Sequence, residues 1–303
     1  MGGTECTLIT VNNILCSAIK RGIALAFFAG ALPFLFFAGA YARENKLPED
    51  TTWQLSLLDD YRQPIGFTYN AQARIQTTYI WRGLYAGGMN MQASANVGYG
   101  GLYLDMWWNV GVTDWSFNKF QPEVDLSLGF ARWGLDIFVL YIHNFNCGFF
   151  DFSNYADRGN RLELNARYTV SSKLPISFLW ATRVGAADGY IDEQGQLKQA
   201  YSSYAELSYT HALPYDLSLY GAVGITPWRS CYTGYQRQFG VVNVEVRLRK
   251  DWTLSEHCGM MLQGQLSINP SALAADKHTA EWHPKNPGSQ SVNTNITLGV
   301  YLR

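Results

Sequence analysis

From residue 65 onward the chain alternates apolar and polar side chains. In "GFTYNAQARIQTTY", Phe67, Tyr69, Ala71, Ala73, Ile75 and Tyr79 share one face, and Thr68, Asn70, Gln72, Arg74, Gln76 and Thr78 share the other. A period of two describes a strand whose faces meet unlike solvents. "MNMQASANVGY" repeats the pattern, setting Met91, Ala93, Ala95 and Val97 against Asn90, Gln92, Ser94 and Asn96. About twelve such segments follow one another, centred near 72, 94, 107, 128, 139, 165, 180, 206, 221, 245, 264 and 297. Their connections alternate in length. Short ones fall at 98–101, 132–134, 171–175, 211–216 and 250–253. Long ones fall near 82–89, 114–122, 146–159, 186–200, 226–238 and 269–291. Tight turns on one rim and loops on the other are the plan of a transmembrane antiparallel up-and-down β-barrel. The expected fold is therefore all-β, with residues 65–303 as the barrel.

The ionised residues test that reading. With one phase fixed per strand, Arg74, Asp105, Glu123, Asp125, Asp136, Arg161, Glu163, Arg167, Arg183, Glu206, Glu245, Arg247 and Arg249 all fall on the polar face. Through the middle of the segments the other face carries no charge. A lysine or arginine facing lipid at mid-depth costs about 2–4 kcal/mol, so the uncharged face is read as the outer one and the charged residues as pore-lining. A soluble sandwich also alternates, but it does not need strands of bilayer-spanning length.

Upstream, "IALAFFAGALPFLFFAGAYA" follows Lys20 and Arg21 and closes on small residues. A basic start, an apolar run and an A-x-A site read as a secretory signal peptide helix over 1–42, with a membrane-anchoring helix as the competing reading. The polar stretch 43–64 reads as a periplasmic tail. Export of this kind places the barrel in the outer membrane of a Gram-negative cell.

Composition narrows the picture further. Charged residues make up 16% of the 303, aromatics 15%, and the formal net charge is −1. A near-neutral chain gives no reason to expect nucleic acid, and abundant aromatics argue against disorder. Beyond the signal region three cysteines remain, Cys147, Cys231 and Cys258. Their odd number and scattered spacing are no disulfide framework. Cys147 and Cys231 start two loops on the same rim, where they either bridge or stay free thiols.

The segment "TTYIWRGLYAGGMN" joins the first two strands. Tyr79 and Trp81 continue the lipid-facing phase and are expected in the interfacial aromatic girdle. Arg82 takes the inward phase, so its charge is expected at the watery rim of the lumen. Gly83, Gly87 and Gly88 then turn the chain, and Ile80 is an inward residue without a reason. The longer stretch from Thr77 to Val112 resembles the TorF-type porin family, also called the Gcw_chp family. Its aromatic-x-arginine-glycine step corresponds here to Tyr79, Trp81, Arg82 and Gly83, and its "GxYxxxWxSNV"-like strand to Gly101 through Val110. Weaker echoes are "EVDLSLGF" and "ELNARYTV". The resemblance implies an outer-membrane barrel of unassigned substrate. The expected partners are outer-membrane lipid and the barrel assembly machinery.

A porin-like channel for passive or weakly selective diffusion of small polar solutes is the expected function. In a ring of twelve, the segments bearing Asp105, Glu123, Asp125 and Asp136 lie across from the one bearing Arg247 and Arg249. An acid wall facing a basic wall would orient a polar solute; the same groups could instead pair and fill the bore, since twelve strands lie between filled and open barrels. A second expectation is a rim enzyme acting on lipid through His143, although no serine motif accompanies that histidine. A third is a plugged barrel serving structure or surface recognition. No cofactor or metal is expected. Asp276, His278, Glu281 and His283 read as a solvated loop, and "DGYIDEQGQLKQ" lacks the glycine and glutamate that a calcium loop requires.

Overall fold

The structure is a computed structural model, and it describes residues 66–112, 122–145, 148–152, 160–171, 173–185, 188–235, 239–275 and 291–302. The expected signal peptide and tail lie outside the described residues, as do Cys147 and the Asp276–His283 cluster. In chain order the strands are β1 (Phe67–Gln76), β2 (Tyr79–Trp81), β3 (Leu84–Gly87), β4 (Asn90–Tyr99), β5 (Leu102–Gly111), β6 (Pro122–Arg132), β7 (Leu135–His143) and β8 (Arg161–Thr169). They continue as β9 (Ile176–Gly185), β10 (Gly189–Ile191), β11 (Leu197–Gln199), β12 (Ser203–Leu213), β13 (Leu217–Thr226), β14 (Gly240–Thr253), β15 (Cys258–Ile268) and β16 (Val292–Leu302). Among the described residues one α-helix, the six-residue α1 (Pro270–Ala275), follows β15.

Twelve of these strands close on themselves in the order β1-β16-β15-β14-β13-β12-β9-β8-β7-β6-β5-β4, every pair antiparallel. Each expected segment is one barrel strand. β2 with β3 and β10 with β11 form two separate hairpins within the long connections. Closure leaves no free edge, which is the condition for putting a sheet in hydrocarbon.

The faces divide as the period of two requires. Leu104, Leu128, Ile137, Val139, Leu164, Leu207, Val223, Val246, Leu248, Leu266, Ile296 and Leu298 are exposed on the outside. In a water-soluble protein such a skin would be an aggregation hazard; in lipid it is the solvated surface. Lys250 points outward only at the short-turn rim, where it reaches Asp216 and the Tyr215 carbonyl. Among the described residues no helix is long and apolar enough to cross a membrane.

The inner wall is close-packed between neighbouring strands. Tyr103 lies directly opposite Gly129 and fills the space where a Cβ would stand. The tyrosine hydroxyl then donates to Asp136 at 2.8 Å. Between β13 and β14 the register shifts at Gly224 and Ile225. This bulge inserts Val242, which is fully buried, and it becomes the landing point for the β2–β3 hairpin.

Candidate functional site: a hairpin anchored across the lumen

The β2–β3 hairpin does not extend the wall upward. β1 stops at Gln76, and Thr77 is held there by its amide hydrogen bond to the Ile296 carbonyl and by its hydroxyl contact with Asn295. The next residues fold back into the bore. Trp81 pairs with Leu84, leaving Arg82 and Gly83 as a two-residue turn with φ of 50° and 80°. Positive φ at both central positions is the type I′ geometry whose twist suits a hairpin. Glycine at the second position has a further cause: a Cβ there would overlap the Val242 carbonyl oxygen. The tip thus lands on the bulge of β14.

The anchor is a cluster of charge and aromatic rings. Arg82 is ion-paired with Glu163 at 3.0 Å, with side-chain exposures of 11% and 0%. Its guanidinium also donates to the Tyr232 hydroxyl at 2.6 Å and to Asn165 Oδ1 at 3.1 Å. Glu163 takes a second cation, Arg183, at 3.2 Å. Trp81 stacks on Tyr232 at 5.6 Å, and the Arg82 guanidinium sits 4.5 Å from the Trp81 ring centre and 5.1 Å from that of Tyr204. Trp81 and Leu84 pack on a buried cluster of Leu179, Ala181, Tyr204, Tyr232 and Val242. The hairpin is rooted in β1 and β4. Its anchors stand on β8, β9, β12 and β14, and in the ring of twelve β9 is directly opposite β1 and β12 directly opposite β4. The hairpin therefore crosses the full width of the lumen.

This corrects the expectation for the family-like motif. Tyr79 and Trp81 are not girdle residues. The Tyr79 hydroxyl donates to Glu123 at 2.9 Å and its ring lies 5.5 Å from Trp107, inside the barrel. Arg82 is not at a watery rim but buried against Glu163. The alternation of β1 does not govern these residues, because the chain leaves the barrel sheet after Gln76.

The remaining pore-lining candidates lie on the inner face at several heights along the barrel. Near the loop rim, Glu123 and Asp125 of β6 adjoin Arg161 of β8 across one strand. At mid-height Glu206 accepts from Tyr220 at 2.7 Å and also from Tyr204, while Arg247 pairs with Glu245 on its own strand. Arg74 donates to Gln92 at 2.6 Å, and Asp105 faces Ser127 across the β5–β6 pair. Towards the short turns, Arg249 makes bidentate contact with Asp251, and Asp136 and Arg167 line a small cleft with Thr169. The basic wall expected on β14 is thus interleaved with its own carboxylates. Asp251 was legible, being two residues beyond Arg249 in the same phase. Asn165 was legible in the same way. Tyr232 was not, since it stands in a short 3-10 turn (Cys231–Thr233) where no periodicity points to it.

The second hairpin, β10–β11, is held from below by Asp188. This carboxylate accepts from the Ser202 amide at 2.7 Å, from the Ser202 hydroxyl and from the Tyr235 hydroxyl at 3.2 Å. Burial pushes the Asp188 carboxyl above the usual range, against the pull of Arg183 and the Ser202 hydrogen bonds. Cys231 is a free thiol, as is Cys258. Burial raises the Cys231 thiol above its ordinary value, which makes it a poor nucleophile.

His143 faces outward at the loop rim, buried beneath Phe145 and Phe149. Its Nδ1 is 2.6 Å from Asn160 Oδ1, and the Asn160 amide donates in turn to the carbonyls of Gly148, Phe149 and Asp151. Among the described residues no group of three or more His, Cys, Asp or Glu could hold a metal.

No protein-family model matches the sequence, and no curated protein matches it. Among solved structures the barrel is similar to the NanC porin, at 10% identity and TM-score 0.43 over 78% of this chain and 100% of that one. It is also similar to an outer membrane channel from Pseudomonas putida F1, at 10% identity and TM-score 0.41 over 80% and 98%. OmpF of Salmonella typhi follows at 7% identity and TM-score 0.33 over 80% and 99%.

Proposed function

We propose that the chain is an outer-membrane channel for small polar solutes, narrowed by the β2–β3 hairpin. The supporting observation is the pairing of an apolar outer face with a lumen of arginines, carboxylates and amides, crossed by a hairpin that is ion-paired to the far wall. A barrel built only as a membrane scaffold has no need of so many charges inside, because each must be desolvated and paired. The reading extends to the TorF-type porin family: the motif Tyr79–Gly83 would supply the constriction, with Trp81 and Arg82 as its lock. Outer-membrane lipid and the barrel assembly machinery are the proposed partners.

Reconstitution into planar bilayers tests this. The wild-type protein should give small, discrete conductance steps. Replacing residues 81–84 by a minimal turn that cannot reach Val242 should raise the step size several-fold. A folded protein that stays silent in both forms would end the channel reading.

A second reading, a lipid hydrolase at the rim, is favoured by the His143–Asn160 pair on the lipid side. An asparagine can orient a catalytic imidazole, but a nucleophile must also be supplied. Labelled phospholipid incubated with the wild type and with His143→Ala decides it: loss of a measurable hydrolytic rate in the variant is the outcome this reading requires.

A further inference from the structure

We propose that the upper lumen contains a subsite for a small zwitterion of the α-amino acid type, between the β5–β6 wall and β8. This deepens the channel reading, on which it rests, by naming a solute class. The observation is a set of buried side-chain atoms with no hydrogen-bond partner among the described residues, although the charges of Asp125 and Arg161 attract one another. Asn109 on β5 is 6% exposed, yet its Oδ1 accepts no hydrogen bond. Asp125 Oδ1 and Arg161 Nε are likewise buried without a hydrogen-bond partner. Buried polar atoms are normally satisfied, so three orphans in one neighbourhood call for a cause.

Register places them together. Asn109 stands opposite Glu123, and Asp125 stands opposite Ile142, which in turn stands opposite Arg161. All of these side chains take the inward phase of their strands. Directly opposed residues have Cβ atoms about 4.5–5.5 Å apart. Asp125 and Arg161, with Ile142 between them, are therefore about 10 Å apart at Cβ. Acceptors collect on one side of Ile142 and a guanidinium donor on the other.

That arrangement selects by charge pattern. An ammonium group suits the Asp125 and Asn109 oxygens, and a carboxylate suits the Arg161 fork. The two charges of an α-amino acid, each with one hydrogen bond, bridge the gap over Ile142. A plain cation would be repelled by Arg161, and a plain anion by Glu123 and Asp125. Glu123 is already held by the Tyr79 hydroxyl at 2.9 Å, which ties the acidic side of the subsite to the root of the inward hairpin.

The test uses the folded full-length barrel in detergent, with tryptophan fluorescence as the readout, since Trp107 lies opposite Asp125. The probes are L-alanine, ethylamine, propionate and erythritol. L-Alanine should saturate the signal, and the other three should bind roughly tenfold more weakly or worse, the loss expected for one charge-assisted hydrogen bond. Asp125→Asn and Arg161→Gln should each weaken L-alanine by a similar factor, and Arg161→Gln should improve ethylamine relative to L-alanine. Asn109→Leu removes an acceptor without touching a charge and should also weaken L-alanine, so the idea survives a failure of either charge variant to fold. Erythritol matching L-alanine, no saturation by L-alanine, or folded variants that bind it as well as the parent would each overturn the subsite. Conductance recorded on the same samples separates the two readings: conductance without L-alanine binding sinks the subsite alone, and binding without conductance sinks the channel alone.

Discussion

Two small hairpins stand in the long connections of this barrel, and they end in opposite places. β2–β3 turns through Arg82 and Gly83 and is buried across the lumen. β10–β11 turns through residues 192–196 and stays at the surface, with Ile191 and Leu197 exposed. Local chemistry makes both of them hairpins. The first uses two positive-φ residues; the second uses Gly195 at φ 76° and an Asp192 carboxylate that accepts from the Gln194 and Gln196 amides. Each also carries a cation paired to an acid. Lys198 meets Asp192 at 2.6 Å with half of its surface in water, whereas Arg82 meets Glu163 inside. The difference is the company of the cation. Trp81 and Leu84 give the first hairpin an apolar tip, and Tyr204, Tyr232 and Val242 give that tip a seat. The second offers glutamate and glutamine at its turn, and its aromatic contact lies lower, where Tyr190 stacks on Tyr235 at 6.3 Å.

The comparison can be broken most strongly at Glu163. Glu163→Gln leaves Arg82 and Arg183 buried without their carboxylate. Removing one partner of a buried ion pair costs about 3–5 kcal/mol. The urea midpoint of the folded barrel should fall accordingly, and channel recordings should show long openings of larger amplitude as the hairpin leaves its seat. An unchanged midpoint would mean that the anchor contributes nothing to the fold.

Matched glycine substitutions sharpen it. Gly195→Ala meets open space and pays only the positive-φ strain, about 1–2 kcal/mol, confined to its own turn. Gly83→Ala carries the same strain and also forces a methyl into the Val242 carbonyl. Conductance should rise for Gly83→Ala and stay at the wild-type value for Gly195→Ala. Equal effects would show that the tip is not seated on β14.

Acid gives the smallest effect. Hydrogen bonds from Lys198 and from the Gln196 and Gln194 amides hold the Asp192 carboxyl below its usual range. A depressed folded value adds order above the unfolded value of about 3.9, and that order is lost as pH falls through the folded value. Exchange of the Gln194 and Gln196 amides should therefore quicken only in acid below about pH 4, and conductance should not follow it.

Much of the architecture is legible in the amino-acid sequence. The alternation around Arg74, Asp105 and Arg247 set the phase of their strands, because lipid tolerates no charge at mid-depth and the side-chain period is two. The short turns were readable for a similar reason: residues 98–101 and 132–134 interrupt the alternation with glycine. The inward hairpin was not readable. "TYIWRG" carries an aromatic-rich alternation that suits a lipid girdle as well as it suits a tyrosine-lined lumen. Nothing local marks Gln76 as the last residue of the wall.

By itself, then, the sequence determined the number of barrel strands, their order along the chain and which side of each strand meets oil. Those properties follow from nearest-neighbour alternation and the cost of charge in hydrocarbon. Only the tertiary structure decided that Arg82 crosses the bore to Glu163, that a bulge at Val242 receives Gly83, and that Asn109, Asp125 and Arg161 share one wall. These are juxtapositions of distant segments, fixed by ring closure and register, and no window of sequence contains all of their members.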